Sequence, residues 1–347
     1  MKVALLGLFV QEISAVIKPY GLPAYRASQL VNWIYKQYVT DFSAMINLPK
    51  SMRTLLAEHF TVKEYELQAV WQSEDGRTSK YLLRFPDQSA VETVLMRQPY
   101  GNSVCVSTQV GCAMGCVFCA STLQGMTRNL TCGEIMAQVL HIESLLAQEG
   151  QKVDSIVIMG MGEPLANYEN VVKFIRLCHE EYGLHLSYRS ITLSTSGLVP
   201  EIDRLAQEGL PITLSISLHA ANDESRSALM PVNKRYPIAG LLAAGDRYAA
   251  QTGRRVTYEY TLIAERNDRV SDAEELAKLL RGRLANVNLI PVNPVTERGL
   301  LRPGAEAIKR FEQTLLARNI NVTVRREMGA DIQAACGQLR KEHLENH

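Results

Sequence analysis

From about residue 100 to residue 325, short β-branched runs alternate with amphipathic helical stretches, and nothing else in the sequence constrains the fold as much. Strands are expected at 104–109, 155–159, 190–194, 212–218, 256–263, 286–292 and 321–325. Helices are expected near 132–149, 168–181, 200–208, 238–251, 271–282 and 304–318. Strands joined through single helices run parallel and stack into βα units. Six such units without an early Gly-x-Gly-x-x-Gly fingerprint predict an α/β fold with a partial (β/α)6 barrel rather than a dinucleotide-binding sheet.

Ahead of the barrel the pattern changes twice. Residues 1–60 read as a small helical accessory domain, with Ala27, Leu30, Val31, Ile34, Tyr35 and Tyr38 at helical spacing. Residues 61–97 read as a short β extension, with strands at 66–71, 80–85 and 90–96 and turns at Asp75-Gly76 and Pro86-Asp87. The core is then expected over 98–343. The N-terminal helices are locally basic, with Lys2, Lys18, Arg26, Lys36, Lys50 and Arg53 against Glu12, Asp41 and Glu58. That pattern fits either a solvated face or a grip on nucleic acid. The whole-chain net charge of +1 does not decide, because a basic patch can be offset elsewhere.

No apolar run reaches the ~18 residues of a membrane span, so no membrane association is expected. The opening Met1–Val10 faintly imitates a signal peptide, but Gln11-Glu12 interrupts it and the amphipathic pattern continues through Ile13, Val16 and Ile17. We read it as the first helix of a cytoplasmic protein. Seven cysteines, three of them within eight residues, argue against a secreted disulfide framework and for metal or redox chemistry.

Those three are Cys112, Cys116 and Cys119, in Cys-x-x-x-Cys-x-x-Cys after the first barrel strand. Soft thiolates at this spacing suit an Fe–S cluster or zinc. A structural zinc site wants four ligands, and no second Cys-x-x-Cys knuckle follows. Three cysteines on a [4Fe–4S] cube leave one iron open. In this the sequence resembles the radical S-adenosylmethionine (SAM) enzymes, whose open iron binds SAM and whose cluster cleaves it reductively to a 5′-deoxyadenosyl radical. Phe118 then matches the aromatic position beside the cofactor. Polar groups at other strand ends converge on the same rim: Gly162 and Glu163, Ser194, Ser217-Leu218-His219 and Asn293. We take these as the cofactor-binding set, with Glu163 accepting from the SAM ammonium and the glycines of Gly160-Met161-Gly162 admitting its close approach. Singly, a serine or asparagine at a strand end is a turn residue.

Over its full length the chain resembles the RlmN/Cfr family of RNA adenine methyltransferases. The resemblance runs through Tyr25-Arg26-Ala27-Ser28-Gln29, Val91-Glu92-Thr93-Val94, Cys105–Cys112, Ser217-Leu218-His219 and Ala334-Ala335-Cys336-Gly337-Gln338-Leu339. It implies that Cys336 carries a methyl group from one SAM, that a second SAM generates the radical, and that Cys105 resolves the Cys336–RNA adduct as a disulfide. Glu92 takes the proton-acceptor position; without the resemblance it reads as an exposed strand carboxylate. Cys105 and Cys336 without it read as core thiols, as do Cys132 and Cys178. Pro164, Ser121-Thr122 and Pro291-Val292 look like the C2-methylating branch rather than the C8 branch that confers antibiotic resistance. Gln124, Ala221 and Gln333 depart from the usual C2 pattern. The partners implied are 23S rRNA, at an adenosine of the peptidyl transferase centre, tRNA, at the adenosine 3′ of the anticodon, and a reducing donor such as flavodoxin or ferredoxin. A monomer is expected. The rival from another class is a zinc-stabilised RNA-binding barrel without catalysis.

Overall fold

The computed structural model describes residues 2–63 and 65–339; residues 340–343 of the expected core lie outside them. The chain opens with β1 (Val3–Ala4), α1 (Val10–Ile17), α2 (Tyr25–Val31), α3 (Lys50–His59) and β2 (Phe60–Thr61). The expected opening helix therefore starts later than the apolar pattern suggested. Its first residues instead pair in parallel with β2, and the Leu5 N–H donates to the Thr61 carbonyl. Gly7, at φ +85°, then turns the chain so tightly against Gly133 that a Cβ would lie 2.3 Å from its backbone nitrogen.

An antiparallel meander follows: β3 (Glu66–Gln72), β4 (Thr78–Arg84) and β5 (Ala90–Gln98). It is no separate layer, because β5 pairs with β6 (Gly101–Cys105), the first strand of the barrel. The barrel continues through β9 (Val153–Ile158), β10 (Ile191–Thr195), β11 (Thr213–Ser217), β12 (Val256–Leu262), β13 (Ala285–Pro291) and β14 (Val322–Val324), each parallel to its neighbour. The sheet order, β14-β13-β12-β11-β10-β9-β6-β5-β4-β3, has two free edges, so the barrel is open. Its helices are α4 (Cys132–Gln148), α5 (Tyr168–His179), α6 (Val199–Gln207), α8 (Ile238–Thr252), α9 (Val270–Leu280) and α10 (Ala305–Leu316). The first is nucleated by a capping box, in which the Thr131 hydroxyl accepts from the Glu134 N–H and the Glu134 carboxylate accepts from the Thr131 N–H.

Two elements depart from the expectation. The strand read as 104–109 leaves the barrel at Cys105; Gln109–Gly111 forms β7, which pairs with β8 (Met126–Asn129) in a ribbon bracketing the cysteine loop. A short helix, α7 (Asp223–Leu229), lies between β11 and α8. One apolar core runs from Leu5 and Tyr35 near the N-terminus to Phe311 and Leu315 in α10.

Candidate active site

At the C-terminal rim of the parallel strands lies a cavity lined by Cys112, Cys116, Cys119, Phe118, Gly162, Glu163, Ser194, Ser217, His219 and Asn293, with Cys336 among them. Cys112 and Cys116 are buried and Cys119 half-buried, and all three are free thiols. Burial, with Cys119 and Glu163 adding to it, pushes the Cys112 thiol up to about 12. Burial first, then the mutual proximity of the thiols, raises Cys116 as well. Such thiols ionise when a cation takes their charge. Among the described residues no three His, Cys, Asp or Glu side chains gather closely enough to hold a single metal ion. Around one zinc, sulfurs would stand only about 4 Å apart. Three soft donors spread around one cavity suit a cluster, whose irons each take one thiolate.

The loop that carries the cysteines is itself well seated. The Val117 N–H donates to the Leu229 carbonyl at 3.0 Å and the Ala120 N–H to the Gly337 carbonyl at 2.7 Å. Phe118 meets the His219 ring edge-on, with centroids 4.6 Å apart.

His219 combines two constraints. It sits at φ +57°, a left-handed conformation uncommon for a non-glycine residue. Its Nδ1 accepts from the Thr261 N–H at 2.9 Å, which puts its proton on Nε2. Burial, reinforced by Arg226, lowers its pKa to about 3, so the ring is neutral at physiological pH. Glu163 is buried, and burial raises its pKa against three donors: the Leu165 N–H, the Thr195 hydroxyl and the Ser196 N–H, at 2.7–3.0 Å. Of a carboxylate's roughly four acceptor sites, one is left for a ligand.

Several sequence-derived assignments change. The Leu218 side chain does not line the cavity; just past the end of β11 it packs into the apolar core, while Ser217 and His219 line the cavity. Gly160 and Gly162 line the cavity and are also required by the protein's own packing. A Cβ on Gly160 would meet the Ser107 hydroxyl at 2.7 Å, and one on Gly162 the Gln109 Cβ at 2.6 Å. Asn293 lines the cavity, but its Nδ2 donates to the Cys336 carbonyl at 2.9 Å and so anchors the C-terminal loop. Sequence reasoning missed Glu259, which lines the cavity from β12 and accepts from Asn288 at 2.9 Å. It also missed Arg325 and Arg226, two cations without a motif around them.

A second, larger chamber of about 590 Å³ adjoins the first. Cys105 lines it, and Cys336, Arg325 and Asn293 line both. Burial, then the Cys336 thiol facing it, pushes Cys105 up to about 12, opposed by Arg325.

Glu92 lines neither chamber, nor is it the exposed carboxylate its strand suggested. It is wholly buried, 2.8 Å from the equally buried Lys80 Nζ. Lys80 also donates to the Gln333 carbonyl in the Cys336 loop at 3.4 Å. Breaking a buried pair from one side strands the other charge, so Lys80→Met should cost about 3–5 kcal/mol. The double variant Lys80→Met/Glu92→Leu should recover most of that loss. Chemical denaturation of the three proteins checks it; a single variant no less stable than the double would refute it.

The family model of the radical SAM superfamily matches residues 106–280, and that of the "Ribosomal RNA large subunit methyltransferase N-terminal domain" matches residues 3–62. A protein of Symbiobacterium thermophilum, named "Probable dual-specificity RNA methyltransferase RlmN", is 51% identical over 342 residues, 98% of this chain and 92% of its own length. One of the same name from Desulforamulus reducens is 50% identical over 99% of this chain and 97% of its own. The chain belongs to the RlmN family. A crystal structure of a radical SAM methyltransferase from Sphaerobacter thermophilus, 50% identical, superposes with a TM-score of 0.96 over 98% of this chain and all of that one. The RlmN family uses a [4Fe–4S] cluster and SAM, and the donor set described above fits both.

Proposed function

We propose that the protein methylates carbon 2 of adenosine in RNA, at the peptidyl transferase centre of 23S rRNA and at the adenosine 3′ of the tRNA anticodon. One observation carries this reading: Cys336 lines both chambers and faces Cys105 across the second. A single sulfur placed so can collect a methyl group on one side and deliver it on the other. When bound, the cluster and SAM supply reductive cleavage of SAM and a hydrogen-abstracting radical.

The remaining work falls to the chain's own residues. Cys112, Cys116 and Cys119 hold the cluster, while Phe118, Glu163, Ser194, Ser217 and His219 form the walls against which SAM is oriented. Adenine C2 is an sp² carbon beyond the reach of ordinary displacement on SAM, whereas a thiolate is an apt methyl acceptor. Arg325, its charge favoured first by Cys336 and then by Glu259 and Cys105, lines the chamber both cysteines share and opposes the burial that raises Cys105. Asn293 fixes the Cys336 backbone, and the Ser121 hydroxyl donates to the Leu339 carbonyl at 2.8 Å to seat the same loop. Once the methylene carbon bridges the Cys336 sulfur and the ring and the adduct has given up its unpaired electron, a base takes the C2 proton and Cys105 attacks the Cys336 sulfur. The sulfur–carbon bond breaks, the carbon takes up a proton as the new methyl group, and a Cys105–Cys336 disulfide remains. Glu92 is our candidate base; sealed behind Lys80, it reaches substrate only when the loop at Gln333 shifts.

The second chamber falls within the range of ligand sites and suits an unstacked nucleoside. Tyr100, 82% exposed at its edge, offers a stacking face to RNA. The helices within residues 1–60 form the accessory RNA grip, although Lys36 and Arg53 already donate to the Gly183 and Ser43 carbonyls. Among the described residues no helix is long and apolar enough to cross a membrane. We place the enzyme in the cytoplasm as a monomer fed by a flavodoxin- or ferredoxin-type donor.

The whole-length likeness to proteins named RlmN favours C2 over C8. Mass spectrometry of RNA from cells expressing the protein should accordingly find 2-methyladenosine at these sites, with 8-methyladenosine at most a trace. Dominant 8-methyladenosine would move the assignment to the resistance branch.

A further inference from the structure

Arg226 is among the largest fully buried side chains of the described residues, with none of its surface exposed. It rises from α7, a helix without an apolar repeat, and its guanidinium makes five hydrogen bonds. Nε donates to the Leu218 carbonyl at 3.1 Å. One terminal nitrogen donates to Asn233 Oδ1 at 2.9 Å and the Tyr236 carbonyl at 3.3 Å. The other donates to the Ser196 and Ser217 carbonyls at 2.8 and 2.9 Å. Every acceptor is a neutral oxygen. Gly197 lies beside it: a Cβ there would meet Leu241 at 2.7 Å and the guanidinium at 3.3 Å.

Burying a cation among neutral dipoles costs several kcal/mol unless a negative charge lies near. Asp223, three residues earlier, is exposed and its Oδ1 accepts from the Ile238 N–H. The other acid that bears on Arg226 is Cys116. The connection is also mechanical: Cys116 packs on Leu229 and Met230 at the end of the same helix, and Val117 is hydrogen-bonded to Leu229. Burial pulls Arg226 down to about 10 while Cys116 pulls it up, so it stays charged at physiological pH.

We propose that Arg226 is a positioning residue for the iron–sulfur cluster, supplying the fixed positive charge that offsets the thiolate-bound cluster and eases its one-electron reduction. Each electron taken from the donor adds one negative charge and no proton. A cation held in a dry interior stabilises that charge far more than it would in water. Net charge and burial are among the levers that set cluster potentials. Three of these hydrogen bonds, to the Ser196, Ser217 and Leu218 carbonyls, tie the ends of β10 and β11 to the helix that supports the cysteine loop.

The proposal rests on assigning the cluster to Cys112, Cys116 and Cys119, which iron loss in alanine variants tests separately. Its own test is the cluster midpoint potential, followed by electron paramagnetic resonance on anaerobically reconstituted protein without SAM, with iron content and denaturation midpoint measured in parallel. In Arg226→Gln the ratio of reduced to oxidised cluster at a fixed potential should fall on the order of tenfold. Arg226→Lys, which keeps the charge, should return most of it. Removing the nearby acid should act in the opposite sense: Asp223→Asn raises the ratio, and added salt shrinks the gain. A structural clamp alone predicts lower stability with an unmoved midpoint. Iron-loaded Arg226→Gln at the parental midpoint overturns the proposal. If that variant holds no iron, an unmoved or lowered ratio in Asp223→Asn at low salt overturns it.

Discussion

Anaerobic reconstitution of Cys112→Ala, Cys116→Ala or Cys119→Ala is expected to give colourless protein that releases no 5′-deoxyadenosine from SAM. Two thiolates cannot hold a cube with one iron left open. Failure to fold should not confuse the result, because the loop is seated by backbone hydrogen bonds from Val117 to Leu229 and from Ala120 to Gly337. Those bonds do not involve the thiols. Removing a buried sulfur costs packing, but far less than removing a large side chain. Cys132→Ala and Cys178→Ala are the matched controls. Both cysteines are buried in helices away from the cavity, so these variants should lose some stability and keep their iron. Full iron content together with deoxyadenosine release in Cys116→Ala would end the radical reading.

The barrel was legible because its signal is redundant. Helices such as α4 and α5 carry apolar faces long enough to average out exceptions, and the strands between them are β-branched on both faces. Elements shorter than that average were lost. The sequence of α7, Asp223-Glu224-Ser225-Arg226-Ser227-Ala228-Leu229, has no apolar stripe; its buried anchor is an arginine, which no periodicity argument places inside. The ribbon of β7 and β8 has only three and four residues and reads as continuation and loop. At the site, spacing alone brought out the three cysteines. Side-chain direction was harder: Leu218 lies in the same tripeptide as Ser217 and His219 and differs from them in which way its side chain points. Glycine carries a second constraint for a related reason. A loop glycine signals that something comes close, and only coordinates reveal that Ser107 and Gln109 crowd Gly160 and Gly162, which also line the cavity. Glu92 is the clearest case of missing long-range information. Its burial depends on Lys80 across β4, a pairing set by strand register and invisible in either segment by itself.

Cys105→Ala and Cys336→Ala should fail in opposite ways, although both remove a thiol from the same chamber. Cys336→Ala has no sulfur to receive a methyl group, so it should bind RNA and never become bonded to it. Cys105→Ala keeps Cys336, the cysteine loop and the contacts of Asn293 with the Cys336 backbone. It should therefore accept the methyl group, add to the base and stall, because no second thiolate is left to attack the Cys336 sulfur and release the carbon. The stalled protein should purify with RNA attached through Cys336 and withstand denaturant and high salt, which strip electrostatically held RNA. Adding Cys336→Ala to Cys105→Ala should abolish the adduct, placing Cys336 upstream. If the two were merely packing thiols, each variant would lose a little stability and retain similar activity. Their surroundings argue otherwise: both line one chamber, and a guanidinium lines it with them. Denaturing gels before and after nuclease, run where the unmutated protein turns over, decide the matter. Without a nuclease-sensitive shifted band in Cys105→Ala, the covalent mechanism fails for this protein, however well its two cysteines are placed.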